Sequence, residues 1–410
     1  MKVKPSLFLL IASCLASAPA FAAGHLTATL TPTDAGNSSV INLIVENDGD
    51  QAVSVYDLTI PTKLSGGMHL PGKRFVVTEV SANGEKDVAY KGNWVHPIRL
   101  SESQFITIDP GKSISLTYDL SSDYAVEVGK VYHVFYSSDI DAAPTDMAGN
   151  LLATKLHLPT QKNLTSNVLN ITPKETTVSA RTTSAASYPP VTDSGHLAIL
   201  KSAWLTAYSY YASVIANDYT NGEPPLYFQT STYSVGGGDY NWWFAPYNNG
   251  DSNDKLIAGT IFAIANRMMG QYNTGTPTHP VAYQEGDDDC SNSDTAAVAQ
   301  TGSIASSGTY LIAVCPLFYQ LTESPVATAS ASQVSTLIHE ISHFSDLATD
   351  VRTSSEGYYG NGQPWMHPTV DVSIGSYTLS GAHNLALTNR SSAVTNASNY
   401  EFYEANTPAH

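Results

Sequence analysis

Two histidines four residues apart, with a glutamate next to the first, are the residues in this chain whose types and spacing suit chemistry: His339-Glu340-Ile341-Ser342-His343. On a helix, side chains four apart share a face, so both imidazoles can reach one metal ion. Glu340 then lies beside the ion, where its carboxylate can take a proton from a coordinated water. Zinc brings such a water to a pKa of about 7, so hydroxide is available near neutrality. The spacing points to metal-assisted hydrolysis with one Zn²⁺ per chain, His339 and His343 as ligands and Glu340 as base. A zinc that only holds a fold together needs no general base, so the intact Glu340 favours catalysis.

The elements that must position these residues follow from the flanking sequence. Ser330 and Gln333 form a capping-box pair, and Val334, Leu337, Ile338 and Ile341 form an apolar stripe, which together predict a helix carrying the motif. A catalytic zinc takes three protein ligands and keeps one position open. No third histidine follows His343 at the short HExxHxxGxxH spacing, and nothing marks a glutamate on a later helix as the third ligand. Upstream, Leu197 to Ala216 repeats apolar residues at helical spacing, among them Leu200, Trp204, Ala207 and Tyr211. Leu256 to Met269 predicts a second helix, Tyr310 to Tyr319 a buried strand, and Ala382 to about Asn406 one or two more helices. Residues 196–410 therefore read as a mainly helical, zincin-like α+β metalloprotease domain with a small sheet.

The first half has another texture. Leu26 to Leu30, Val40 to Val45, Val53 to Ile60, Phe105 to Ile108, Ile114 to Leu120 and Val131 to Tyr136 predict strands. Asn47-Asp48-Gly49-Asp50 and Asp109-Pro110-Gly111-Lys112 supply the turns. This spacing predicts an all-β, immunoglobulin-like sandwich over residues 23–157, with no catalytic cluster of its own. Residues 158–195 are rich in Thr, Ser, Asn and Pro and read as a linker, with Lys174 and Arg181 as points for proteolytic nicking. The chain is thus multidomain.

Residues 1–22 read as a signal peptide. Lys2 and Lys4 give the positive start, Leu7 to Ala16 the apolar stretch and Ala20-Phe21-Ala22 the cleavage site. Ile11-Ala12-Ser13-Cys14 offers a lipid-attachment box as the alternative. The expectation is a secreted, extracellular protein that passes through a periplasm. Of three cysteines, Cys14 leaves with the signal, and the remaining Cys290 and Cys315 are expected to form a disulfide in an oxidising compartment. No later segment has 18 uninterrupted apolar residues, so no transmembrane segment is expected. A net charge of −17 with no basic stripe excludes a nucleic-acid partner.

Beyond the motif, most of the chain resembles the deuterolysin and peptidyl-Lys metalloendopeptidase family, the aspzincins. The likeness runs from Cys315-Pro316-Leu317-Phe318 into Thr336-Leu337-Ile338-His339-Glu340. It returns in Leu385-Ala386, Ala393-Val394 and Asn396-Ala397-Ser398-Asn399-Tyr400-Glu401-Phe402, where the family has Asn-Ala-Asp-x-x-Glu-Tyr. Tyr90-Lys91-Gly92 and Pro110-Gly111-Lys112 resemble the family propeptide, which implies that 23–157 is a prodomain released by cuts in 158–195. In the family a GTxDxxYG motif follows HExxH; its Asp is the third zinc ligand and its Tyr assists catalysis. Here Pro368-Thr369-Val370-Asp371-Val372-Ser373-Ile374-Gly375 keeps the Thr, Asp and Gly but has Ile374 at the Tyr position. Tyr377, two residues past Gly375, falls in register with the family Tyr when counted back from Leu385.

The resemblance therefore implies Asp371 as third ligand and Tyr377 as hydrogen-bond donor to the tetrahedral oxyanion. Asp350, seven residues after His343, and Glu356, ahead of Tyr358-Tyr359-Gly360, are the alternative ligands. In lysine-specific members an Asp and a Glu line the pocket for the residue after the cleaved bond, P1′. Glu401 matches that Glu, and Ser398 stands where the Asp would be, so one carboxylate of two remains to select lysine. His367 reads as a loop residue and His383 as structural. The whole reading is a secreted zinc metalloendopeptidase made as an inactive precursor, a monomer acting on protein or peptide substrates, with its own propeptide as partner. The alternative is a secreted non-catalytic adhesin or binding module with a structural metal site.

Overall fold

The computed structural model describes residues 24–60, 69–140, 142–146, 150–152, 155–174, 189–218, 234–235, 238–245, helical positions between 253 and 268, 281–291, 294–301, 310–324, 331–344, 369–372 and 374–404. The signal-like segment, Arg181, Asp350, Glu356 and His367 lie outside these residues.

The N-terminal region is all β. Its strands are β1 (Leu26–Pro32), β2 (Val40–Asn47), β3 (Val53–Tyr56), β4 (Phe75–Ser81), β5 (Gly84–Asp87), β6 (Asn93–Pro97), β7 (Phe105–Ile108), β8 (Ser113–Asp119), β9 (Val131–Asp139), β10 (Asn163–Thr165) and β11 (Leu169–Ile171). Strands β1-β2-β8 form one antiparallel sheet, and β10-β9-β4-β5, with β11 also on β9, form another. Burial alternates residue by residue along β2 and β9, as a strand with one covered face requires. Leu30, Ile41, Leu43 and Val45 from the first sheet share a core with Phe75, Val77, Tyr132, Val134 and Tyr136 from the second. In the expected turn at Asp109, the Lys112 amide donates to the Asp109 carbonyl and Gly111 takes φ +67°, the left-handed position that favours glycine.

All six strands expected from the sequence are present, and β4, β5, β6, β10 and β11 are additional. Two of these lie in the stretch read as linker: Asn163 pairs with Asp139 and Leu169 with Val134, both on β9. Three-residue strands show too few alternations to register as periodic; an available sheet edge forms them, not local pattern.

The C-terminal region mixes helices and strands: α1 (Ser194–Asp218), a short hairpin β12 (Ser234–Val235) and β13 (Gly238–Asp239), α2 (Tyr240–Phe244), β14 (Val281–Glu285), β15 (Thr295–Gln300), β16 (Tyr310–Val314), α3 (Gln333–Ser342), α4 (Leu379–Thr388), α5 (Arg390–Thr395) and α6 (Ala397–Glu404). The expected helix at 256–269 is borne by its described positions, where Ile257, Ile261, Ile264 and Met268 are helical and buried. They join Trp204, Ile312, Val334, Leu337, Ile338, Ile341, Tyr400 and Phe402 in one core. Helix α3 is central: every residue in it is buried, and its apolar stripe is the expected one. Its described cap is Ser332, whose hydroxyl accepts from the Ser335 amide while the Ser335 hydroxyl accepts from the Ser332 amide; Ser330, the expected cap residue, lies outside the described residues. No helix among the described residues is long and apolar enough to cross a membrane.

The C-terminal sheet runs in the order β14-β16-β15-β6. Strand β14 is parallel to β16, β15 is antiparallel to β16, and β6 is antiparallel to β15. A strand from the N-terminal half therefore completes the sheet beside α3. The Cys290–Cys315 disulfide closes beneath it, with Cys315 packed among Val95, Val298 and Ala313.

Candidate metal centre

Helix α3 brings His339 one turn before its C-cap residue, His343, so the two rings lie 4.8 Å apart, centroid to centroid. Each ring is fixed by its Nδ1. Glu401 Oε2 lies 2.9 Å from His339 Nδ1, and the Thr369 carbonyl lies 3.1 Å from His343 Nδ1. An Nδ1–H donated to such an acceptor leaves the Nε2 lone pair for a metal.

The acid that meets these lone pairs arrives by backbone docking. The Thr369 amide donates to the Ser342 carbonyl at the end of α3, and the Val370 amide donates to the Thr395 carbonyl. The Ala397 amide in turn donates to the Val370 carbonyl, so residues 369–371 are clamped between α3 and the start of α6. Asp371 Oδ1 then lies 3.1 Å from His339 Nε2 and 3.5 Å from His343 Nε2. Both Nε2 atoms and both Asp371 oxygens are buried and make no hydrogen bond. Buried polar atoms are almost always paired, so four that converge without partners fit a cation. His339, His343 and Asp371 form one of two groups among the described residues that could hold a metal ion; His96, His339 and Glu401 form the other.

Glu340 is fully buried beside this group, and neither of its oxygens has a hydrogen-bond partner. Burial pushes its carboxyl well above the ordinary carboxylate range. Burial lowers both ligand imidazoles, but Asp371 and Glu401 outweigh it at His339 and lift that ring to about 10. At His343 burial wins and holds the ring at about 4. Burial would raise Asp371, yet His343 and His339 draw it below its usual value. Burial raises Glu401, with the His339 partner pulling the other way.

The remaining expected residues fall nearby. Ser398 and Glu401 sit one turn apart on α6, and both face His339: Ser398 Oγ lies 3.5 Å from Nδ1. Glu401, expected from the resemblance to line the P1′ pocket, is thus the partner of His339, an expected ligand. Tyr377 is buried, its ring 5.7 Å from that of His339, and its hydroxyl donates to the Val95 carbonyl at 3.2 Å. His383 lies off the centre, stacked on Trp242 with Nδ1 2.8 Å from the Trp242 carbonyl.

Two residues at the centre were not expected at all. His96 and Trp94, both on β6, cover the histidines. The His96 ring stacks on His339 at 3.8 Å, and the Trp94 ring on His343 at 4.9 Å. The N-terminal region therefore does contribute to the cluster, contrary to the reading of its sequence. The alternation Trp94-Val95-His96 was the available signal, but strand pairing across some two hundred residues leaves no local mark.

The segment that holds the motif is also similar in sequence to a known family. The aspzincin family model, described as lysine-specific metallo-endopeptidase, matches residues 230–361, a span that holds His339, Glu340 and His343. The peptidyl-Lys metalloendopeptidase of Armillaria mellea is 27% identical over 183 residues, which are 45% of this chain and 39% of that protein. The chain spans about two fifths of the length of that curated relative. A zinc peptidase from Grifola frondosa is similar over 52% of this chain and 97% of its own, at 19% identity and a TM-score of 0.32. The segment 230–361, which carries the motif, is thus similar to the aspzincin family.

Proposed function

We propose that the chain is a zinc-dependent endopeptidase that hydrolyses peptide bonds in proteins. One observation carries this reading: two imidazole Nε2 atoms and a carboxylate converge, buried and without hydrogen-bond partners, beside an equally unpaired Glu340. His339, His343 and Asp371 hold the ion in this reading. Zinc, when bound there, supplies a Lewis acid that polarises a carbonyl and acidifies a water. Glu340, raised by burial, is suited to take a proton from the attacking water and pass it to the leaving amine. Tyr377 already donates to a backbone carbonyl at the site, which supports a role in holding the oxyanion that develops there. Glu401 and Thr369 keep the ligand rings in the productive tautomer.

A preference for lysine at P1′ rests on the relative's name and on Glu401, without the second acid that Ser398 replaces. The all-β N-terminal region, read as an immunoglobulin-like prodomain, and the signal-like start support an exported precursor. Casein hydrolysis that a chelator abolishes and zinc restores is the test. Glu340→Gln should retain zinc and lose activity by roughly a thousandfold, the scale of general-base catalysis. Full activity in that variant would remove Glu340 from the role.

A further inference from the structure

Strand β6 lies where an extended peptide substrate would have to lie. It pairs antiparallel with β15, setting Trp94 opposite Ala299, Val95 opposite Val298 and His96 opposite Ala297. Without β6, β15 would be an edge with free backbone groups, the usual template for adding a peptide strand. The pleat sends Val95 to the far face, among Val298, Ala313 and Cys315, and turns Trp94 and His96 toward the metal centre.

The contacts of β6 match those a substrate needs. Tyr377 donates to the Val95 carbonyl, the place a carbonyl under attack would take. The next side chain, His96, enters the acid-lined space beyond: Nδ1 is 3.5 Å from Glu340 Oε1 and Nε2 is 3.6 Å from Glu401 Oε2. His96 is 1% exposed, and its Nδ1 makes no hydrogen bond. A buried imidazole with a nitrogen left without a hydrogen bond is a poor structural element, but it fits a pocket built for another cationic or polar side chain. Outside the pocket the strand is anchored at both ends. The Thr301 hydroxyl donates to the Gly92 carbonyl, the Ile98 amide donates to the Asp294 carbonyl, and Arg99 pairs with Asp294.

We propose that β6 is an internal stand-in for substrate, with Val95 at P1 and His96 at P1′, and that it keeps the full chain inactive by filling the cleft along β15. The inference rests on the peptidase reading and adds to it the direction and register of the substrate: antiparallel to β15, with the P1′ side chain between Glu340 and Glu401. It also explains why Glu340 and both ligand histidines have at most 2% of their surface exposed. The partner of the β15 edge is an extended peptide, supplied in the full chain by residues 93–97.

The test is binding, read apart from turnover. Full-length chain carrying Glu340→Gln is loaded with zinc and titrated with a fluorescein-labelled peptide copying residues 91–99, followed by polarisation. The same chain with Trp94→Ala and His96→Ala should bind the peptide at least tenfold more tightly. Equal affinity, or no binding to either, overturns the proposal. Should the double variant lose its cooperative thermal transition, a second pair of proteins decides. A specific protease site is inserted between β11 and α1 and cut, with or without a staple from Asn93→Cys and Gln300→Cys, residues that face each other in register. The unstapled chain should bind the peptide and the stapled chain should not; the same affinity for both sinks the idea. With Glu340 intact, a cut, unstapled chain that binds the peptide but cleaves no casein contradicts the peptidase reading alone. Equal cleavage by the uncut chain and the cut, unstapled chain contradicts this inference alone.

Discussion

Asp371 and Glu401 divide the work around His339: one meets its Nε2, the other its Nδ1. Carboxylates that orient a ligand histidine raise its basicity and fix its tautomer. Glu401→Gln keeps the shape but removes the charge, so zinc affinity should fall by about ten- to a hundredfold; competition against a chelator of known strength reads it. An unchanged affinity would confine Glu401 to substrate recognition. The two ligand rings also predict a pH dependence. His343, held at about 4 by burial, is neutral above that value, whereas His339, lifted to about 10 by its acidic neighbours, carries a proton below that value. Between these limits a cation must displace one proton from His339, so apparent zinc affinity should rise about tenfold per pH unit. A pH-independent affinity across pH 5 to 8 would show that His339 is neutral before metal binds.

At the scale of elements, what could be read in the sequence was what is local. The helix of the HExxH motif, its apolar stripe, six strands and the Asp109 turn each follow from periodicity or turn chemistry within a few residues. The cap formed at Ser332 is closed by Ser335, a serine pair that the capping-box pattern, with Glu or Gln at the third helical position, passes over. Asp371 was one of three candidates, of which Asp350 and Glu356 lie outside the described residues, and nothing in a long spacer says which acid returns to α3. Backbone docking of 369–371 onto Ser342 and Thr395 decides its place, and that is a tertiary fact. His96 was illegible for the same reason. The disulfide, by contrast, followed from a count of cysteines. It spans 25 residues and closes beneath β15 and β16, so Cys290→Ser with Cys315→Ser should cost about 3 kcal/mol in chemical denaturation. A loss below about 1 kcal/mol would mean that the core beneath the sheet holds without the bridge.

Across the described residues, the two largest cores meet at β6 and at smaller clusters such as Tyr56, Phe105 and Tyr377. The N-terminal sheets bury their own apolar faces, the helical core surrounds α3, and β6 crosses from the first to complete the sheet of the second. A partition drawn from composition at 158–195 misses this, because β6 belongs by sequence to one half and by hydrogen bonding to the other. The arrangement makes the chemistry depend on parts distant in sequence: a helix, a segment clamped after a long spacer, and the face of α6. Whether those parts truly assemble one zinc site can be asked by metal analysis of purified chain. Zinc content should stay near one per chain in Asp350→Ala and fall below about a tenth in Asp371→Ala, as loss of one of three protein ligands implies. Zinc retained by Asp371→Ala and lost from Asp350→Ala would contradict the site described above.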